Sequence, residues 1–230
     1  MTEHAVYTIG SPAWWSGIAI FVAYAAVVIG AARWLKGEGL KTFERVWGIA
    51  LAALLLVKHV YLHQSGLWTV QDNLELHLCG FSRILSIVLL ISGARWAFYP
   101  LFFWGIVGGF HSLLTPELTG GDTPFMYAEY YIVHGGIIII PLYFVWVRGY
   151  MVGKWTWAKV LGINLLLMVP VGIVNRLVDA NYMFLCQRPM VDNPLVIGEW
   201  PYYLIAFVVA GALHYFVLTL LFWKRIKAQA

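Results

Sequence analysis

The sequence has little charge and almost no cysteine. Only 11% of its 230 residues are Asp, Glu, Lys or Arg, whereas soluble domains contain about 25% charged residues. Its two cysteines are too few for a disulfide framework, and no low-complexity tract or internal repeat stands out. The composition therefore excludes an ordinary soluble domain, a disulfide-rich scaffold and a repeat protein.

The N-terminal region lacks the features of a cleavable signal peptide. Its first 12 residues contain no Lys or Arg, and the apolar run that follows is more than 20 residues long. A signal peptide begins with a basic segment and continues with a shorter apolar stretch. The first apolar run is therefore predicted to be a retained membrane helix.

What the chain has in abundance is apolar sequence. Hydrophobic residues make up 61% of it, and the mean hydropathy is +0.77. Because a transmembrane helix needs about 20 mainly apolar residues, the pattern predicts an all-α polytopic protein, a single domain formed by a seven-helix transmembrane bundle. The predicted spans are 13–35, 43–65, 73–94, 96–117, 126–148, 155–180 and 201–223.

Basic residues indicate the orientation of this bundle. Lys and Arg collect around the loops after spans 1, 3 and 5 and in the C-terminal tail. The N-terminus and the loops after spans 2 and 4 have none, and only the loop after span 6 departs, with Arg176 and Arg188. Cytoplasmic loops hold the excess of Lys and Arg. The N-terminus is thus predicted outside and the C-terminus in the cytoplasm, and this sorting of charge by membrane side gives no reason to expect nucleic acid as a partner.

The third predicted span has a polar stripe. Residues three or four apart share a helix face, so Glu75, Cys79 and Arg83 are predicted to lie on one side. His77 is predicted to point elsewhere. Charges inside a span are costly and mark function or a buried partner. Arg83 is expected to pair with an acid such as Glu75 or Asp179, or else to form, with Lys58, a cationic floor for a phosphate headgroup.

Histidines on three other spans lie at the depth of this stripe. At a rise of 1.5 Å per residue, Cys79, His59 and His111 lie about 9 Å below the outer ends of their spans, and His134 about 12 Å below its own. The cytoplasmic halves are almost purely apolar. We therefore expect a single site that opens toward the extracytoplasmic leaflet.

A thiol and an imidazole on different spans suggest covalent catalysis. A neighbouring base favours the reactive thiolate, and Cys79 and His134 are such a pair. Attack by the thiolate on an ester carbonyl would give an acyl-thioester, which is then hydrolysed or transferred. The candidates for stabilising the oxyanion are Asn175, Tyr131 and Ser82, and those for orienting an imidazole are Glu129 and Asp179.

Several stretches resemble a known family. They are "LHLCGFSRIL" from Leu76, "LLTPEL" from Leu113, "YYIVHGG" from Tyr130, "NYMFL" from Asn181 and "GEWPYY" from Gly198. They look like the bacterial YwaF-type integral membrane family, which is related to the vertebrate transmembrane protein 164, a cysteine-dependent phospholipid acyltransferase.

This resemblance covers predicted spans 2 to 7 and implies specific roles. It implies that Cys79 is the nucleophile and His134 its partner. Tyr182, one of the polar residues at span 6, and Asn181, which begins the stretch "NYMFL", are counted among the supporting residues. The resemblance also implies a phospholipid or lysophospholipid substrate, no cofactor, and a place in a bacterial inner membrane. Transfer of the acyl chain and hydrolysis of the lipid ester both remain open.

Binding of haem, a metal or another ligand is an alternative from a different functional class. The histidines near the outer side are His59, His63, His77, His111 and His134. The first two have the i, i+4 spacing of a metal pair, and His111 or Glu75 could add a third ligand. A transporter is disfavoured because the polar stripes stop in the outer half, and a retinal protein because span 7 contains no lysine.

A structural role for the thiol is also possible. Cys79 and Cys186 are both predicted on the outer side, where a disulfide could form. Cys186 belongs to the long apolar connection 181–200, which is expected to fold over the site as a lid.

Overall fold

The fold is all-α. The computed structural model describes residues 5–189 and 196–227, and 74% of it is helical. The helices are α1 (Pro12–Trp34), α2 (Gly37–Gln64), α3 (Leu78–Ser92), α4 (Arg95–Leu114), α5 (Pro124–Trp146), α6 (Thr156–Val178), α7 (Tyr202–Leu221) and α8 (Trp223–Lys227). A 3₁₀ turn covers Tyr182–Phe184, and two short strands, β1 (Ala5–Val6) and β2 (Glu117–Leu118), pair antiparallel.

Six helices are long and apolar enough to cross a membrane, counting only residues 5–189 and 196–227. They are α1, α2, α4, α5, α6 and α7. The prediction of an all-α, multi-pass membrane protein is confirmed at this level. The remaining predicted span corresponds to α3, which is a shorter apolar helix packed against α2, α4 and α5.

The third helix begins later than the sequence predicts. It has 15 residues and starts at Leu78, not at residue 73. Glu75 has a φ of 54°, a left-handed conformation that interrupts a helix. A Cβ on Gly80 would lie 2.3 Å from the Glu75 carbonyl oxygen, so the loop can fold onto the first turn of α3 because residue 80 is glycine. The predicted helical face shared by Glu75 and Cys79 is therefore wrong.

Local sequence signals set several helix ends. Ser11 accepts a hydrogen bond from the Trp14 backbone N–H at 3.1 Å at the start of α1. Thr123 accepts one from the Met126 N–H at 3.3 Å at the start of α5. A proline follows each cap, at the position where its missing N–H is not needed. α3 ends before Gly93, which has a φ of 68°. Glycine adopts this left-handed conformation at little cost and therefore commonly ends a helix.

Glycines bring α4 and α5 into close contact. A Cβ on Gly105 would lie 2.3 Å from the Ile137 carbonyl oxygen, and one on Gly109 would lie 2.8 Å from that of His134. Glycines four residues apart are typical of closely packed membrane helices. On its other side, α5 packs against α1, where Gly135 faces the Phe21 ring. The close approach fixes the position of His134 relative to α4.

The bundle has a buried centre and an exposed edge. In the most apolar 18-residue stretch of each helix, 67% of residues are buried in α5 but only 11% in α6 and 17% in α7. On α6, Leu166 is 73% exposed and Leu177 is 77% exposed. Large exposed apolar faces of this kind mark contact with a membrane or a partner. With α1, which is also only 11% buried, α6 and α7 therefore present apolar faces to the surroundings of the bundle, as expected of a multi-pass membrane protein.

A buried ion pair connects α2 with the segment after α5. The Glu44 carboxylate is 4% exposed and accepts a hydrogen bond from the Tyr143 hydroxyl at 2.6 Å. Arg148 donates to the same carboxylate from Nε at 2.9 Å and from a terminal nitrogen at 3.0 Å. Both carboxylate oxygens therefore have donors, and these three residues are named the distal cluster below.

Candidate functional site

A cavity of about 380 Å³ lies among α2, α3, α4, α5 and α7. This volume falls in the range of about 300–1,000 Å³ that is usual for small-molecule sites. Six side chains singled out by the sequence analysis line it, namely Lys58, Glu75, Cys79, Arg83, His111 and His134. They come from four helices and the loop before α3, so the cavity brings them together.

Further polar side chains line the cavity, namely Asp72, His77, Ser112, Thr115, Glu117, Thr119, Glu129, Tyr130 and His214. Of these, the sequence analysis named Glu129 as a candidate for orienting an imidazole and His77 as a candidate metal or haem ligand. A carboxylate inside an apolar span, such as Glu129, indicates a buried cation. His77 was predicted to point away from Glu75. That prediction is wrong because residues 73–77 are not helical, so the 100° rotation per residue does not apply.

The Cys79 thiol lies in the first turn of α3. Its sulfur is 3.7 Å from the Ser112 hydroxyl oxygen on α4. A Cβ on Gly108, one turn earlier on α4, would also be 3.7 Å from that sulfur. The positive end of the helix dipole and the free N–H groups of a first turn stabilise an anion. The helix N-terminus would stabilise a thiolate, whereas burial of the sulfur favours the neutral thiol, so deprotonation of Cys79 needs a base.

His134 faces the cavity from α5 with a defined tautomer. Its Nδ1 is 2.9 Å from the Tyr130 carbonyl oxygen. A carbonyl oxygen can only accept a hydrogen bond, so Nδ1 holds the proton and Nε2 of the neutral ring has a free lone pair. The Tyr130 ring lies against the imidazole, with centroids 4.0 Å apart, and its hydroxyl donates to the Ser112 carbonyl at 2.8 Å.

Four charged side chains form a buried network at the cavity, named the cavity cluster below. Glu75 lies 2.7 Å from the Lys58 ammonium and 3.4 Å from the Arg83 guanidinium. Arg83 also contacts the Glu129 carboxylate at 2.5 Å. Arg83 pairs with Glu75, as one alternative predicts, and not with Asp179. Each cation of the second alternative, the cationic floor for a phosphate headgroup, has a carboxylate partner, and that alternative stays a prediction.

The network also sets the charge state of Glu75, which lies in the loop before α3. Burial raises the pKa of its carboxyl, but the opposing effects of Arg83 and Lys58 outweigh burial and hold the pKa below its usual range. Glu75 is therefore ionised at neutral pH. The Arg83 Nε is buried without a hydrogen-bond partner among the described residues, so this guanidinium has one donor to spare.

His77 has a structural role at the start of α3. Burial lowers its pKa to about 4, so the ring is neutral at physiological pH. Its Nδ1 accepts a hydrogen bond from the Met183 backbone N–H at 3.3 Å, and its ring packs against Tyr182 and Phe184. His77 thereby holds the 3₁₀ turn against α3.

Two predicted site residues lie just outside the cavity lining. His59 lies behind Glu75, with its Nε2 3.8 Å from the carboxylate and its Nδ1 accepting from the Trp68 indole at 2.9 Å. Tyr131 is fully buried against α1, where its ring occupies the space that Gly17 leaves open. Its neighbour Tyr130 faces the cavity instead, because one residue turns a helix by 100°.

Four other predicted site residues stabilise the chain after α6. Asn175 and Tyr182 exchange hydrogen bonds of 2.9 and 2.8 Å between side chain and backbone. The Tyr182 hydroxyl donates to the Val70 carbonyl at 2.7 Å. Asp179 ends α6 with a φ of 55°, and the Asn181 side chain accepts from two backbone N–H groups in the following turn. None of the four lines the cavity, because each holds a turn.

The metal and disulfide alternatives receive no support from the side-chain positions. No group of three or more His, Cys, Asp or Glu is placed to hold a metal within residues 5–189 and 196–227. Cys79 and Cys186 are both free thiols. Phe184 and Pro189 line the cavity, but part of the predicted lid 181–200, residues 190–195, lies outside the described residues.

Comparison with known proteins assigns the chain to a protein family. A protein-family model described as the TMEM164 family matches residues 6–219, which is nearly the whole chain. The predicted relation to transmembrane protein 164 is thereby confirmed, while the YwaF-type label remains a prediction. No curated protein and no solved structure gives a significant match.

Proposed function

Because this chain belongs to the TMEM164 family, we propose that it is a membrane-embedded lipid acyltransferase. In this proposal Cys79 is the nucleophile, His134 is the general base, and a phospholipid is the acyl donor. The observation that supports it best is the presence of both side chains on one cavity, with the thiol at a helix N-terminus and the imidazole in the tautomer that leaves Nε2 free. No cofactor takes part.

The first half of the reaction transfers the acyl group to the enzyme. The Cys79 proton passes to His134 Nε2 while the sulfur attacks the ester carbonyl. The carbon–oxygen bond then breaks, and His134 returns the proton to the departing lysophospholipid oxygen. Backbone N–H groups in the first turn of α3 have no acceptor inside the helix, so they would stabilise the oxyanion.

The second half releases the acyl group to an acceptor hydroxyl. Attack by a lysophospholipid hydroxyl gives transfer, and attack by water gives hydrolysis of the lipid ester on the same site. Lys58, Arg83 and Glu129 have a supporting role. Lys58 and Arg83 present positive charge to the polar end of the lipid, and Glu129 holds the Arg83 guanidinium in place. A new phospholipid as the product indicates transfer, and a free fatty acid indicates hydrolysis.

The membrane arrangement is also part of the proposal. We place seven helices in the bilayer, α3 included, with the N-terminus outside and the C-terminus in the cytoplasm. Lys and Arg cluster at the loops joining α1 to α2 and α5 to α6, which are cytoplasmic by the positive-inside rule. The cavity lies near the opposite ends of these helices. It would therefore face the extracytoplasmic leaflet of a bacterial inner membrane.

Trapping of the acyl-thioester tests the proposal. Purified protein is incubated with a phospholipid that has a labelled acyl chain, and the labelled residue is identified by mass mapping. We expect hydroxylamine-sensitive label on Cys79 in the wild type and none in Cys79→Ala. Cys186→Ala is the matched control, because this exposed thiol lies outside the cavity and its loss should change nothing. Label that survives Cys79→Ala with activity intact would rule the mechanism out.

The role of His134 is tested by the rate of acylation. A general base contributes about 10²–10⁴-fold, so His134→Gln should slow label incorporation by that factor while lipid binding stays near the wild-type level. His63→Gln is the control, since His63 is exposed at the end of α2. Equal rates in His134→Gln and wild type would remove His134 from the mechanism.

A further inference from the structure

A second pair of imidazoles lines the cavity where α4 and α7 meet. His111 on α4 and His214 on α7 face each other, with Nε2 atoms 3.4 Å apart and ring centroids 5.1 Å apart. Both rings line the cavity that contains Cys79. The mechanism above uses neither of them.

The hydrogen bonds fix which nitrogen of the pair is basic. His214 Nδ1 is 2.6 Å from the Ala210 carbonyl oxygen, which can only accept, so Nδ1 of His214 bears the proton. His214 Nε2 is therefore an acceptor and receives the proton of His111 Nε2. His111 Nδ1 is left with a free lone pair, and no partner for it exists among the described residues.

His111 lies on the part of α4 that borders the thiol. Its neighbour Ser112 places a hydroxyl 3.7 Å from the Cys79 sulfur, and the backbone at Gly108, three residues before His111, borders the same sulfur. Residues three apart on a helix are neighbours, about 5–6 Å between Cβ atoms. The His111 ring therefore belongs to the helix face that borders the nucleophile.

The pair suits the uptake of one proton. When His111 Nδ1 accepts a proton, its Nε2–H continues to donate to the neutral His214 ring, which stabilises the new positive charge. A second proton would put two like charges 3.4 Å apart, and like charges at such distances disfavour each other. The pair thus behaves as a base that takes one proton and gives it back.

From this geometry we propose that His111 is the general base of the acceptor half-reaction and that His214 is its positioning residue. The inference rests on the proposed acyl-thioester at Cys79. The acceptor is water, or a lysophospholipid whose free hydroxyl differs from that of the departing one, since the departing lysophospholipid would only reverse acylation through His134. Two bases on different helices then divide the two half-reactions, with His134 serving the thiol and His111 serving the acceptor.

The step balances without any further reactant. The acceptor oxygen attacks the thioester carbonyl as its proton passes to His111 Nδ1. The new carbon–oxygen bond forms, the carbon–sulfur bond breaks, and the Cys79 thiolate leaves. His111 then returns the proton to the thiolate, for which the Ser112 hydroxyl offers a route.

Separating the half-reactions tests the proposal. Cys79 is loaded with a labelled acyl chain from a donor phospholipid without an ethanolamine headgroup, excess donor is removed, and loss of label is followed after addition of lysophosphatidylethanolamine or of buffer alone. For His111→Gln we expect acylation within about twofold of wild type and deacylation slower by about 10²–10⁴-fold, the usual contribution of a general base. His214→Gln should show the same split with a smaller effect. His63→Gln serves as the control and should match wild type in both steps.

Hydroxylamine provides the internal check. It attacks thioesters without a general base, so it should release the label from His111→Gln as fast as from wild type. Wild-type deacylation in His111→Gln, or equal losses of acylation and deacylation in both His variants, would overturn the inference. A wild-type protein that never acquires label on Cys79 would instead overturn the proposed function.

Discussion

The two buried ionic clusters differ in what surrounds them. In the distal cluster, the Glu44 carboxylate has donors on both oxygens and its partners Tyr143 and Arg148 face no part of the cavity. In the cavity cluster, about 21 Å away along α2 by the helical rise, two carboxylates share the Arg83 guanidinium, and its Nε has no partner among the described residues.

This difference separates structural ions from candidate functional ones. Buried ion pairs contribute little net stability compared with apolar packing, yet removing one partner is costly. A buried charge in a membrane helix is therefore weak evidence of function by itself. The additional features of the cavity cluster, which are a spare donor and access to a cavity, make it the candidate for contacting substrate.

The largest effect is expected from removing the shared cation. Arg83→Met leaves the buried Glu129 carboxylate without its cation and Glu75 with Lys58 alone, which should destabilise the fold by about 3–5 kcal/mol. Thermal unfolding in detergent measures this. Arg148→Met is the matched control and should cost less, because the Arg148 side chain is 29% exposed and water can solvate the Glu44 that remains. Equal losses in the two variants would erase the distinction between the clusters.

A smaller effect is expected from neutralising one acid in each cluster. Glu44→Gln keeps an acceptor for Tyr143 but loses the charge, and should cost about 1–3 kcal/mol without changing the rate of Cys79 acylation. Glu129→Gln should cost a similar amount and also slow acylation, because Arg83 loses its anchor beside the cavity. Acylation rates per folded molecule provide the comparison. A slow Glu44→Gln enzyme would contradict the assignment of the distal cluster to stability alone.

The position of Glu75 can be disturbed through its backbone. An Ala Cβ at residue 80 would lie 2.3 Å from the Glu75 carbonyl oxygen, so Gly80→Ala should cost about 1–3 kcal/mol, as overpacking does, and slow acylation. Gly30→Ala on α1 is the control, because a Cβ there meets nothing within 4 Å; it should be neutral or stabilising by up to about 1 kcal/mol. Thermal unfolding of both variants checks this, and a harmless Gly80→Ala would contradict the tight loop.

The smallest expected effect is a dependence of the protein's stability on pH. The pKa of Glu75 is lower in the folded protein than in the unfolded chain, so its ionised form stabilises the fold above the unfolded value of about 4.3. That contribution is lost as the pH falls through the folded-state pKa. The difference in melting temperature between wild type and Glu75→Gln should therefore shrink as the pH is lowered from 7 toward 3. A constant difference would show that the charge of Glu75 is not responsible.

The helices and part of the site could be predicted from the sequence because both follow from simple periodicities. Apolar length identifies the helices, and equal depth brought Cys79, His111 and His134 to one cavity. Depth and polarity cannot distinguish a side chain that lines a cavity from one that holds a turn, which is why Asn175 and Asp179 were assigned to the site.

The remaining differences between the predicted and the observed site come from backbone conformation and helix rotation. The left-handed Glu75 depends on the close approach of the loop to Gly80, a tertiary contact with no helical period. Whether Tyr130 or Tyr131 faces the cavity depends on the rotation of α5 about its own axis between α1 and α4. Neither feature is encoded in a local pattern of apolar and polar residues.

His134 and His214 each bind a carbonyl oxygen four residues earlier on their own helix. The partner moves with the side chain whenever the helix moves. A shift of α7 against α4, or a lipid that spreads the cavity, can change the distance between imidazoles without changing which nitrogen holds the proton. The acid–base identity of each ring is thus a property of a single helix, independent of the shape of the bundle around it.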